Sequence, residues 1–180
     1  KGLVEAIHIR DSSCKLCPNL ETTLLEMRKV VSIAKERTIA FESQEAKGLL
    51  KKYGIQSLPA MLFSPELKEY PEITGEWAGL GTVESDGWHI IRQVGPPHTD
   101  AATGKVVGLA SLVMLADKSC AACYDVEMHK GIISRFGVAI ADEKKIDISD
   151  PEGKKLIEKY KITSIPSIII SKDASAYEAF

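Results

Sequence analysis

The chain has 180 residues, 44% of them hydrophobic, and a net charge of −2. That is enough apolar material for one or two globular cores. The mixed charges and the lack of a basic block argue against nucleic acid or an anionic membrane surface as partner, and no apolar run is long enough to span a bilayer.

Residues 3–9, Leu-Val-Glu-Ala-Ile-His-Ile, read as a strand by their β-branched content. Asp11, Ser12 and Ser13 suit a helix N-cap, so Cys14 is expected to open a helix with Pro18 in its first turn. Leu20, Leu24, Leu25 and Met27 form its apolar face. Arg37–Phe41 reads as a second strand, and Ser43 or Gln44 to Tyr53 as a helix stopped by Gly54. Strands are expected at Ala60–Phe63, directly after Pro59, and at Gly87–Val94. Residues 95–104, Gly-Pro-Pro-His-Thr-Asp-Ala-Ala-Thr-Gly, read as a linker. Lys105–Ala116 contains the next strand, and Cys120 is expected to open a helix reaching about Phe136. Lys144–Ile148, Asp150–Tyr160 and Ser167–Ile170 follow as strand, helix and strand. The order is βαβαβ in each half, with a further strand in the first.

The halves repeat. Residues 31–73 lie on 138–180 without a gap, and 15 of the 43 pairs are identical, among them Tyr53/Tyr160, Ser57/Ser164, Pro59/Pro166 and Tyr70/Tyr177. A period this long is a domain rather than a solenoid unit, so two domains are expected, 1–104 and 105–180. The first copy runs on through Trp77 and Trp88, where the second stops at Phe180. The second copy is therefore expected to lack its last strand and to leave an open sheet edge. A chain that starts at Lys1 and stops there reads as part of a longer protein, expected to be anchored and extracytoplasmic, with a cytoplasmic location as the alternative.

All four cysteines fall in two Cys-x-x-Cys motifs, Cys14-Lys15-Leu16-Cys17 and Cys120-Ala121-Ala122-Cys123. Each has a proline at nearly the same distance downstream, in Ser57-Leu58-Pro59 and Ser164-Ile165-Pro166. Two thiols at this spacing at a helix start can form a reversible disulfide. The helix N-terminus would favour the first sulfur as thiolate, and the second lies within reach to resolve a mixed disulfide. Cys14 and Cys120 are then nucleophiles, and Cys17 and Cys123 resolve. A Cys₄ zinc site is the alternative, but such pairs usually lie about 15–20 residues apart. Here 102 residues separate Cys17 from Cys120. Inert structural disulfides are the other.

A strand, a Cys-x-x-Cys pair opening a helix, and a proline loop before a strand edge resemble the thioredoxin superfamily, in both halves. Two such units look like a tandem protein disulfide oxidoreductase or a relative of protein disulfide isomerases. The resemblance implies an α/β fold, three-layered, with a central mixed sheet in each unit. It implies thiol–disulfide exchange with protein clients and a redox partner, without metal or organic cofactor. It places Leu58, Pro59, Ile165 and Pro166, both prolines cis, against the client. The dipeptides Lys15-Leu16 and Ala121-Ala122 depart from the family's usual ones, as do Ser13 and Ser119 before the first cysteines. Where thioredoxins often carry a buried carboxylate, this chain has His8 and Met114. His8 is thus a candidate base for the resolving thiol. Lys15 is expected to lower the Cys14 pKa relative to Cys120, with Asp11 partly offsetting it. Tyr53, Tyr160, Tyr70, Tyr177, Trp77 and Trp88 are expected to pack, with a client surface as the other use of the last four. The competing function is a binding module with stabilising disulfides.

Overall fold

The computed structural model describes residues 2–92 and 94–179. Gln93, inside the strand expected at Gly87–Val94, and the end residues Lys1 and Phe180 lie outside them. The chain divides into two compact units, Lys1–Val107 and Gly108–Phe180.

In the first unit β1 (Val4–Arg10), α1 (Glu21–Arg28), β2 (Ile33–Ala40) and α2 (Gln44–Tyr53) are followed by β3 (Ser57–Leu58) and β4 (Ala60–Phe63). A short α3 (Pro71–Thr74), β5 (Thr82–Val83), β6 (His89–Ile91), β7 (His98–Asp100) and β8 (Val106–Val107) complete it. The main sheet has the order β2-β1-β4-β6-β5. β1 pairs β2 in parallel and β4 antiparallel, with His8 opposite Met61. Alternation along β1 sends Val4 and Ala6 to one face and Ile7 and Ile9 to the other. On the first face they pack with Leu20, Leu24 and Met27 of the α1 region, and with Phe63, Tyr70 and Trp77. On the second they pack with Ala46, Leu50 and Tyr53 of α2. Helices on both faces of a mixed sheet make three layers. Leu25, expected on the apolar face of α1, is instead exposed, because Leu20, Leu24 and Met27 already complete the i, i+4, i+7 stripe.

The second unit holds β9 (Leu109–Ala116), α4 (Met128–Arg135), β10 (Ala139–Asp147), α5 (Pro151–Tyr160) and β11 (Ser167–Ile170). Its sheet has the order β10-β9-β11, with β9 parallel to β10 and antiparallel to β11. This is the arrangement of β2, β1 and β4 again, and β11 stands at an edge among the described residues. α2 is capped by the Ser43 hydroxyl, which accepts from the Ala46 amide at 3.1 Å, and stops at Gly54 with φ 62°. α5 stops at Lys161 with φ 52°, where a side chain is strained.

The aromatic residues settle into packing. Trp77 is buried edge-on to Phe63 and His89, and Trp88 packs beside the α2-side core. The Tyr70 hydroxyl donates to the Gly2 carbonyl at 2.8 Å and accepts from the Ser32 amide at 3.0 Å. The Tyr177 hydroxyl does the same with the Gly108 carbonyl, 2.8 Å, and the Ala139 amide, 2.9 Å. Tyr160 departs from the expected packing: it is exposed, under the ammonium of Lys159. Residues 95–104 are not simply a linker. They contain β7, which turns back into β8 at Gly104, φ 69°, with the Asp100 carboxylate accepting from Thr103 and Ala102 amides. The first compact unit therefore closes at Val107 rather than at Gly104. Among the described residues no helix is long and apolar enough to cross a membrane.

Candidate functional site

Each cysteine pair is a disulfide, Cys14–Cys17 and Cys120–Cys123, in the loop that leaves the C-terminal end of β1 or β9. Neither motif opens a helix. α1 begins at Glu21 and α4 at Met128. In the first unit Pro18 disfavours a helical Cys17. The chain restarts two residues later, where the Asn19 side chain accepts from the Glu21 amide at 2.9 Å. In the second unit Asp125 does the same for the Glu127 amide at 3.1 Å. The helix-dipole argument for a lowered Cys14 or Cys120 pKa loses its basis, because the dipole's effect fades within a turn.

What organises each loop is an aspartate three residues before the first cysteine. Asp11 Oδ1 accepts from the Ser13 amide at 2.8 Å and the Ser13 hydroxyl at 2.6 Å. Asp117 Oδ1 accepts from the Ser119 amide at 2.9 Å and hydroxyl at 2.6 Å. Asp11 Oδ2 further accepts from the Thr99 hydroxyl at 2.8 Å. Burial works against the Asp11 carboxylate, but the bonds from Ser13, Thr99 and the Cys14 amide together hold its pKa below the usual range. Lys15 donates to the Ser12 carbonyl at 2.8 Å.

In the first unit the site is a cavity of about 180 Å³ lined by His8, Asp11, Cys14, Cys17, Pro59 and Thr99, with Leu58 in its wall. The Leu58–Pro59 bond is cis. His8 is buried, and neither ring nitrogen has a partner among the described residues. Burial, and then the charge of Arg10, push its pKa down, while Glu21 opposes. At neutral pH the ring is therefore a neutral base facing the disulfide's cavity. The structure brings together all the first-unit candidates, but Cys14 itself is buried, 9% exposed, while Cys17 is only half-buried.

The second site is wider and more charged. A groove of about 510 Å³ is lined by Cys120, Cys123, Tyr124, Asp147, Lys118 and Lys145. The Asp147 carboxyl is lowered to about 2 by the Ser149 hydroxyl and by the amides of Lys118 and Ser149. Lys145 lies 3.3 Å from Asp125 and 3.1 Å from Glu127. The Ile165–Pro166 bond is cis, and the Pro166 carbonyl accepts from the Tyr124 hydroxyl at 3.1 Å. That bond, not the groove lining, connects the proline loop to the cysteine loop. Met114, in the place of His8, is buried and offers no proton acceptor.

Sequence reasoning missed Tyr124 and Thr99, and it missed the loop-organising role of Asp11 and Asp117. The repeated Asp-x-Ser before each cysteine pair was a usable signal for Asp11 and Asp117. Tyr124 had none beyond following Cys123. Thr99 sat in a stretch whose composition announced a linker.

No protein-family model and no curated protein matches the chain. Among solved structures, the alkylhydroperoxide reductase protein AhpF of Enterococcus faecalis is similar at 19% identity, with a TM-score of 0.30, over 94% of this chain and 81% of that one. A crystal structure of an N-terminal domain of the same protein is similar at 15% identity, TM-score 0.26, over 94% and 82%. Full-length ERdj5 is similar at 10% identity and a TM-score of 0.27, over 97% of this chain, which spans only 26% of that protein.

Proposed function

We propose that the chain is a thiol–disulfide oxidoreductase of the thioredoxin type, acting on protein clients through two independent centres. The observation that supports this most directly is the duplicated site: each cysteine pair is joined locally, in a loop at a strand's C-terminal end, and opens onto a solvent-reachable cavity. In the reducing direction the Cys14 or Cys120 thiolate attacks one sulfur of a client disulfide. The client S–S bond breaks, its other sulfur leaves as thiolate, and a mixed disulfide forms. Cys17 or Cys123 then loses its proton and attacks the mixed disulfide, releasing the client dithiol and re-forming the motif disulfide. Two electrons pass to the client, with the proton of the resolving cysteine and one more from solvent. The same steps reversed oxidise a client dithiol. In the first centre the neutral His8 ring accepts the Cys17 proton and returns it to the leaving client thiolate. The chemistry calls on no metal or organic cofactor, and a separate redox partner resets each motif.

Reduction potentials for the two motifs, measured in Cys14→Ser/Cys17→Ser and Cys120→Ser/Cys123→Ser backgrounds, test this. Exchange-active motifs are expected above about −300 mV and to support reduction of insulin by a dithiol; values below about −300 mV mark structural disulfides and the binding-module reading.

A further inference from the structure

The first disulfide has a covering that the second lacks. β7 pairs antiparallel with β3, Leu58 opposite Thr99 and Ser57 opposite Asp100. The Ala101 amide extends the pairing by donating to the Gln56 carbonyl at 2.8 Å. β8 backs β7 on its other side, His98 opposite Val107 and Thr99 opposite Val106. The segment thus occupies the backbone edge immediately before Pro59, an edge at which an extended polypeptide could otherwise lie along the Cys14–Cys17 cavity by strand addition. It is fastened to the cysteine loop as well, through Thr99 Oγ1 to Asp11 Oδ2. Thr99 and Leu58 are wholly buried and Cys14 nearly so. In the second unit no strand pairs with Ser164–Ile165 among the described residues, and Ile165 and Cys120 are only half-buried.

Building on the proposed exchange activity, we infer that β7 is an internal strap that takes the position of a client on the first motif, so that the two motifs differ in specificity. The first exchanges with small thiols and disulfides, which enter the cavity lined by Cys14 and Cys17 past the strap. An extended polypeptide must first displace His98–Asp100, and its apparent affinity falls by the fraction of molecules in which the strap is open. The second motif accepts extended polypeptides without this step. Thr99 is the positioning residue, since it joins the strap to both Leu58 and Asp11.

The test compares, for each motif alone in the full chain, the rate with dithiothreitol or glutathione disulfide and the rate with an extended peptide carrying one disulfide. The two double Cys→Ser backgrounds isolate the motifs. The peptide-to-small-molecule rate ratio is expected to be about tenfold or more lower for the first motif, the scale of one charge-assisted hydrogen bond together with a strand pair. Thr99→Pro, which removes both the backbone donor and the hydroxyl, is expected to raise the first-motif ratio by about tenfold. If that variant does not fold, Ala101→Pro removes only the amide bonded to Gln56 and should raise the ratio in the same direction. Peptide added to the unaltered chain should also speed hydrogen exchange at the Ala101 amide. Equal ratios for the two motifs, or a ratio unchanged by an open strap, overturn the inference and leave the exchange activity standing. Failure of both motifs with small disulfides and peptide alike overturns the activity itself.

Discussion

Replacing His8 by methionine should make the first unit more stable and its chemistry slower. Methionine is what the second unit carries at the matching place, and it is buried there without difficulty. His8 has two ring nitrogens with no partner among the described residues, inside a packed sheet. A buried polar group left unsatisfied costs about 1–3 kcal/mol, and methionine fills a similar volume with flexible apolar atoms. The gain should therefore be about 1 kcal/mol, or about 4–8 °C in the melting temperature of a domain near this size. The same change removes the base proposed for Cys17, and a positioned general base contributes roughly 10²–10⁴-fold. Thermal melting and quenched-flow resolution of a Cys14 mixed disulfide, both in the Cys120→Ser/Cys123→Ser background, read the two effects. The unaltered protein should also lose resolution rate as pH falls through the lowered His8 pKa, and the variant should lack that limb. An unchanged resolution rate would falsify the role given to His8, and a destabilised variant would show that its nitrogens are satisfied after all.

Lys161→Gly should stabilise the second unit by about 1 kcal/mol in chemical denaturation, since it places at the left-handed stop of α5 the residue that Gly54 provides for α2; no gain means the strain is relieved elsewhere. Asp147 has a folded pKa of about 2 against an ordinary 3.8, so its contribution to stability is complete above about pH 4 and is lost as pH falls toward 2. Asp147→Asn should flatten the acid limb of the second unit's denaturation curve in that window, and an unaltered limb refutes the assignment. The buried His8 and His89 act at higher pH: burial lowers both pKa values, so the first unit should lose stability as pH drops below about 6.5. Finally, Cys14 is expected to titrate below Cys120 when Cys17→Ser and Cys123→Ser variants are compared, because Lys15 stands beside it while the cations of the second groove, Lys118 and Lys145, are paired with Asp147 and with Asp125 and Glu127; the reverse order rules this out.

Strand and helix positions that depend on local pattern were legible in the sequence. Gln44–Tyr53 announces itself through Ser43 and Gly54, and Ala60–Phe63 through the preceding proline and an unbroken apolar run. The same patterns, repeated, revealed both sites and their proline loops. The start of α1 was misplaced because two local rules competed. Small polar residues before Cys14 resemble a cap, yet Pro18 and the Asn19 side chain decide where the first helical amide is satisfied. β7 was illegible for a different reason. Its three residues, His98-Thr99-Asp100, include one strand former, Thr99, in a stretch of turn-forming composition, and the strand is held by pairing to β3 and β8 and by the bond from Thr99 to Asp11. Cys14, whose burial bears most directly on function, shares its cavity with Leu58, Pro59 and Thr99, all far from it in sequence.

The two tyrosine hydroxyls carry a consequence for endurance. Tyr70 ties the carbonyl before β1 to the amide before β2, and Tyr177 ties the corresponding groups of β9 and β10. Both fasten the parallel pair at the end away from the cysteine loop. Breaking an S–S bond removes a covalent constraint from one pole of the sheet, and the loop there is free to breathe. At the other pole the strands stay joined, so such opening should remain a local fluctuation with low free energy rather than a route to global unfolding. A centre that is opened and closed once per turnover can in this way be cycled many times without its scaffold sharing in the wear.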